Sequence, residues 1–305
     1  MFPGATASRE EAAYVVAGAP LDVSTSFRPG TRFGPERIRR FARPFDDYDR
    51  ATGLKFSACG VHDRGDVRAW DDAPAYLAWL AGELRDVVAG GAVPLLLGGE
   101  HTVSAAGVGA VDPDVFVCLD AHLDLRTAYD GNPHSHATVT RRVLDGETGS
   151  EGDGDGEADD SVDDSTGETD EGTGETDEGT GGIGETDEGT GAIDGGDGSG
   201  TVEEAVILGA RTGSPAEWDR AEGSDVTVVA PEAVPGFDLA DHLAGRTAYL
   251  SGDVDAADPG FAPGTGTPEP FGPAPRALRD VARAAAPHAA GLDAGPRYLN
   301  DDAQT

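Results

Sequence analysis

Asp120, His122 and Asp124 stand at alternate positions in VCLDAHLDLR (residues 117–126), directly behind an apolar run that reads as a buried strand. Successive side chains of an extended chain point to opposite faces, so these three project the same way. Two carboxylates and an imidazole on one face are either a set of cation ligands or a group of turn-forming, hydrogen-bonding residues, and the motif alone admits both readings. Two more apolar runs end in similar groups. PLLLGGEHT (residues 94–102) carries His101 beyond a Gly98-Gly99 turn, and TAYLSGDVDAADP (residues 247–259) carries Asp253 and Asp255 at alternate positions.

Strands of one parallel sheet end along one edge, which would collect four carboxylates and two imidazoles in one place. Such a cluster repels itself unless cations balance it. Two divalent metals about 3.5–4 Å apart, shared by bridging carboxylates, would do so and would supply a hydroxide near neutral pH for attack on an electrophilic carbon. Donors rich in oxygen, with a minority of imidazole and no thiolate, favour Mn²⁺ over structural Zn²⁺. Taken singly, Asp253 or Asp258 reads as a turn former or helix cap, and His62 or His242 as a surface or hydrogen-bonded residue. The metal reading draws its weight from three strand ends carrying the pattern together.

The elements that must position these groups alternate. Short apolar runs closed by polar or glycine-rich residues predict strands at 13–17, 93–97, 115–119, 205–208, 226–229 and 247–250. Leu77, Leu80, Leu84 and Val87 recur at three- and four-residue steps and predict a helix over 75–89, with Asp71 or Asp72 as its cap. Alternating strands and helices with continuous apolar strands imply an α/β fold, a three-layer α/β/α sandwich around a mostly parallel sheet. Ligands in such sheets bind beyond the carboxyl ends of the strands.

The 305 residues, 38% of them hydrophobic, suffice for one large domain, expected over 1–145 and 201–305. Residues 146–200 break the composition. They hold 20 of the 57 acidic residues, no Lys or Arg, and GETDEGTG three times, starting at Gly167, Gly174 and Gly184, with nothing apolar to stack. A disordered acidic insertion is expected there. Without it, 37 acidic residues still face 22 basic ones, a net charge of -15 against -35 for the whole chain. Lys55 is the single lysine. A nucleic-acid partner is therefore not expected. The acidity reads as adaptation to high salt, with steering of a cationic substrate as the competing explanation. Cys59 and Cys118 are expected as small buried hydrophobes, being too few for a disulfide framework. No targeting segment or apolar run of membrane-spanning length is present, so the expected location is cytoplasmic, with no membrane partner.

At these motifs the sequence resembles the ureohydrolase family of arginases and agmatinases, most closely the archaeal and bacterial agmatinases. The resemblance rests on TSFRPGTRFGPERIR (25–39), GDV (65–67), LGGEHTVS (97–104), LDAHLDLR (119–126), SHATVTRRV (135–143) and SGDVDAADPGFAPGTGTPEP (251–270). It implies the arginase-like fold, two Mn²⁺ per subunit, a homo-oligomer (trimer or hexamer) and hydrolysis of a small cationic guanidino substrate to urea and an amine. By the same resemblance His101, Asp120, Asp124 and Asp253 would hold one manganese, and His122, Asp120, Asp253 and Asp255 the second. Asp124 would orient the attacking hydroxide and take its proton, His136 would shuttle protons, and Glu269 would hold the guanidinium group. Asp258, Pro259, Gly264, Thr265 and Gly266 would shape the pocket, either as turn residues or by touching substrate, whereas His134 has no matching role.

TAYDGNPHSHAT resembles the agmatinase version of the loop after the metal motif, which makes agmatine, cleaved to putrescine and urea, the expected substrate. Guanidinobutyrate and arginine are the alternatives. Three departures stand out. The acidic insertion interrupts the segment between Val143 and Val206, where the family has a short connection, Phe271-Gly272 replaces the family's second glycine pair, and AAGLDAGPRYLNDDAQT is weakly strand-like where the resemblance implies a full final strand, internal to the sheet, and a closing helix. An inactive relative that only binds, and an amide hydrolase of the deacetylase type, are the competing classes. The second uses one zinc and a different histidine pair.

Overall fold

The computed structural model of the chain describes residues 1–25, 29–148 and 202–295. The expected insertion with its repeats, apart from residues 146–148, lies outside those residues. In chain order the described elements are β1 (Tyr14–Ala19), α1 (Gly34–Ala42), β2 (Tyr48–Asp49), β3 (Leu54–Lys55), β4 (Val61–Asp66), α2 (Ala73–Ala89), β5 (Val93–Gly98), α3 (Val103–Val111) and β6 (Val115–Leu119). They continue with α4 (Val139–Leu144), β7 (Glu204–Leu208), α5 (Pro215–Ala221), β8 (Val226–Val229), α6 (Leu239–His242), β9 (Ala248–Asp253), α7 (Pro275–Ala285) and β10 (Ala289–Gly295).

Eight strands form one sheet in the order β4-β1-β5-β10-β9-β6-β7-β8, and every pairing in it is parallel. Strand β6 shows why a continuous apolar run is required. Its Phe116 and Cys118 pack with Ala105 and Val108 of α3 and Val139 and Val143 of α4 on one face. Val115, Val117 and Leu119 pack on the other face with Leu239 of α6 and Val281 and Ala285 of α7. Both faces of the strand are thus buried, and the alternating layers make the expected three-layer sandwich. The helix predicted over 75–89 begins two residues earlier, and Asp72 is its cap, Oδ1 accepting from Ala75 N at 3.1 Å.

Two strands of the sheet escaped the sequence pattern. In β4 (VHDRGD) the inward Asp63 replaces the apolar residue that periodicity seeks. Arg39 of α1 compensates with two hydrogen bonds, Nε to Oδ2 and Nη2 to Oδ1, both at 2.9 Å. Strand β10 is built largely from Ala and Gly, so its strand state comes from lying between β5 and β9 rather than from its residues' own preference. Its place inside the sheet is where the resemblance puts the last strand.

The candidate metal centre

The carboxyl ends of β5, β6 and β9 bring the polar clusters together. Gly99 follows β5 in a cramped turn, where an added Cβ would lie 2.0 Å from Leu21 O, so only glycine lets the chain pass. The turn delivers His101, which is buried and whose Nδ1 lies 2.7 Å from Asp124 Oδ2 and 3.2 Å from Asp120 Oδ2. On the other side of Asp120, His122 Nδ1 lies 3.2 Å from Asp120 Oδ1 and 3.1 Å from Asp255 Oδ2. Asp120 therefore touches both imidazoles, one oxygen to each, and no part of it is exposed.

The way these groups converge differs from the expectation of one pleated face. Strand β6 stops at Leu119, His122 forms only an isolated parallel bridge with Thr212, and Asp124 adopts a left-handed backbone with φ of 51°. Aspartate tolerates that conformation better than most residues, and it swings the Asp124 carboxylate across to His101. Asp253 and Asp255 likewise do not share a strand. Asp253 ends β9, and Asp255 sits in a single 3-10 turn (Val254–Ala256) that Asp253 caps, its Oδ1 accepting from Asp255 N at 3.0 Å. Asp253, His101 and Asp293 are among the residues lining a void of about 10 Å³.

Electrostatics show what the cluster attracts. Burial opposes a charge on His122, but its hydrogen bonds with Asp120 and Asp255 and their charges outweigh it and carry its pKa up to about 10. Burial likewise opposes a charge on His101, yet Cys118, Asp120 and Asp124 together hold its pKa well above the ordinary imidazole value. The carboxylates draw positive charge onto whatever stands between them. Asp120, His122 and Asp255 each offer a ligand atom within 4.8 Å of the others, as do His101, Cys118 and Asp120. Oxygen and imidazole donors in that arrangement fit a divalent cation. Burial pushes the Cys118 thiol up to about 12, which leaves it a neutral thiol in the absence of a cation beside it.

A cavity of about 250 Å³ opens from this cluster, lined by His122, Asp124, Arg126, Tyr129, His136, Thr212, Glu217 and Thr267 among others. His136 is buried in its wall, with Nδ1 2.7 Å from Ser24 O. Ser24 is anchored in turn by the buried Glu100, which accepts from Ser24 N and Ser24 Oγ, each at 2.8 Å. Glu269 is not among the residues lining the cavity. It is half-buried, and the hydrogen bond it makes with Arg211 is through its backbone carbonyl. Of its loop, Thr267 is the residue that lines the cavity. Asp258 serves as a turn former, with Oδ1 accepting from Gly260 N and Oδ2 from Phe271 N, both at 2.8 Å. Phe271 has a φ of 67°, a conformation that glycine adopts without strain.

Sequence reasoning passed over the groups behind the imidazoles. His101 Nε2 lies 3.2 Å from Ser251 Oγ, which donates to Asp293 Oδ1 at 3.0 Å, and 3.6 Å from Cys118 Sγ. No spacing in the sequence relates these residues, because they meet across three strands. Cys59 was expected to be buried, but it is half-buried and its thiol donates to Lys55 O at 3.4 Å, since it follows the short outer hairpin rather than a core strand. His62 and His242 are structural as expected, bonded to Ala7 O and to Glu204 respectively.

The comparisons with known proteins converge on these elements. The profile of the arginase family matches residues 12–294. The N(1)-aminopropylagmatine ureohydrolase of Thermococcus kodakarensis is 30% identical over 269 residues, covering 86% of this chain and 74% of that protein. The agmatinase of Bacillus anthracis is 28% identical over 279 residues, covering 90% of this chain and 78% of that protein. Among solved structures, the agmatine ureohydrolase of Thermoplasma volcanium has a TM-score of 0.74 at 26% identity, covering 97% of this chain and 85% of that one. With the profile running from just before β1 to the end of β10, and so through every turn that brings a carboxylate or imidazole to the cluster, the chain belongs to the arginase family.

Proposed function

We propose that the protein is a binuclear manganese hydrolase that cleaves a linear guanidino compound to urea and an amine, with agmatine, giving putrescine, as the substrate. One observation carries this reading: Asp120 touches both imidazoles of a buried carboxylate cluster that opens into a cavity containing His136. The resemblance to agmatine-cleaving relatives supports the choice of substrate.

His101, Asp120, Asp124 and Asp253 would hold one cation and His122, Asp120, Asp253 and Asp255 the other. When bound, the pair supplies Lewis acidity and a water acidic enough to ionise near neutral pH. Asp124, buried and turned toward the cluster by its left-handed backbone, receives the proton given up as the guanidino carbon is attacked. A carbonyl only accepts, so His136 Nδ1 carries the hydrogen facing Ser24 O and Nε2 is the nitrogen that exchanges a proton with the departing amine. The cavity, of about 250 Å³, is large enough for a short linear chain.

Urea release from agmatine, guanidinobutyrate and arginine, measured with Mn²⁺ at high salt, tests the proposal. Agmatine should give the highest kcat/KM, and manganese bound without urea from any of the three would defeat it.

A further inference from the structure

Arg211 follows β7 and sends its guanidinium between three segments of the site. Nε donates to Pro270 O at 3.0 Å, Nη1 to Gly209 O at 2.9 Å and Ala256 O at 3.2 Å, and Nη2 to Asp255 O at 3.0 Å and Glu269 O at 2.6 Å. A guanidinium has five N–H donors, and here each meets one backbone carbonyl. The residue's own amide donates to Ala121 O at 2.9 Å, joined by Thr212 N at 3.2 Å, and Ala121 stands between Asp120 and His122.

The segments tied together are those least able to hold themselves. The 3-10 turn carrying Asp255 is three residues long and has a single closing bond, Ala257 N to Val254 O at 3.2 Å, so its orientation depends on bonds from outside. Asp253 holds it from the cluster side and Arg211 from the opposite side. Residues 269 and 270 continue the loop whose Thr267 lines the cavity and donates toward Asp255 Oδ2 at 3.5 Å. Burial lowers the Arg211 pKa, and the charges of Asp255, Glu269, Asp120 and Asp258 offset that only in part. Its cation is therefore placed where it also relieves repulsion among the carboxylates.

We propose that Arg211 is a positioning residue that sets the Asp255 half of the metal centre and the Thr267 wall of the cavity as one unit. This rests on the metal-centre reading above. Lysine cannot replace it, since an ammonium offers three donors from one point and no planar fork.

The test is a manganese titration of wild type and Arg211→Lys, with bound metal, thermal midpoint and steady-state kinetics read on the same samples. Wild type should hold two ions. The variant should keep one and bind the second about 10–100-fold more weakly, the loss typical of groups that orient a ligand, with a thermal midpoint close to wild type. High manganese should restore kcat but leave KM raised, because the cavity wall stays loose. Two ions held with wild-type affinity would overturn the proposal, as would loss of both ions in parallel with the thermal midpoint. Arg211→Gln is read the same way should the lysine variant not fold. Failure of both to fold assigns the residue to stability alone and also overturns it. A wild type that binds no manganese overturns the metal-centre reading itself.

Discussion

Asp120 gives one oxygen to each imidazole, which no neighbouring residue replaces. Asp120→Ala should therefore lower manganese binding by more than the ~10–100-fold that loss of an orienting partner causes, and urea production with it. Retained turnover would show that the cluster is not the reaction centre. Ser251 is such an orienting partner. It lies between His101 Nε2 and Asp293, so Ser251→Ala should weaken metal binding about 10–100-fold while the fold survives. Metal titration beside a thermal melt distinguishes that result from general damage. Glu269 offers the sharpest contrast between sequence and structure. As a guanidinium clasp, Glu269→Gln should raise KM more than about tenfold by loss of a charged bond. If it instead acts only through its backbone carbonyl on Arg211, the substitution should leave KM within about twofold. Residue types and alternate spacing pointed to the strand ends where the structure sets His101 beside Asp120 and Asp124, and His122 beside Asp120 and Asp255. The left-handed Asp124 and the Ser251-Asp293 pair were not legible, since they depend on backbone conformation and on contacts across strands.

The elements were readable where both faces of a strand are apolar, as in β6, and unreadable where a charge points inward, as in β4. The reason is that the Arg39-Asp63 pair satisfies through tertiary contact what periodicity expects from hydrocarbon. Removing Arg39 leaves the buried Asp63 charge held mainly by backbone amides, so Arg39→Ala should destabilise the protein by about 3 kcal/mol in denaturant unfolding. The pair also sets acid sensitivity. Burial alone would raise the Asp63 pKa, but the hydrogen bonds from Arg39 and from backbone amides hold it below the ordinary carboxylate value. A depressed native pKa means that the stabilisation is complete above about pH 4 and is lost as pH falls through the native value. The wild type should thus lose stability in that low range, and the Arg39→Ala variant should show a shallower loss. Phe271 is the opposite case, an aromatic in a left-handed position. Relief of about 1–2 kcal/mol of backbone strain exceeds the ~0.5–1 kcal/mol entropic cost of glycine, so Phe271→Gly should raise the thermal midpoint slightly.

At the scale of the whole molecule the charge decides behaviour that no single contact does. A net charge of -35 repels itself, and that repulsion reaches about 10 Å at 0.1 M salt but only about 3 Å at 1 M. Stability should accordingly rise with added KCl, and a chain lacking residues 149–201 should show a smaller rise, because that span carries acidic residues and no basic ones. The same field acts on substrate with the opposite sign. A cationic guanidino compound is drawn toward an acidic protein, so kcat/KM for agmatine should fall as salt rises over the range in which the thermal midpoint climbs. Measuring both against KCl, with and without residues 149–201, separates the two explanations of the acidity. If the midpoint climbs while kcat/KM stays level, the charge serves solubility and folding in salt. A fall in kcat/KM that is halved or more in the shortened chain would instead assign that span a part in gathering substrate.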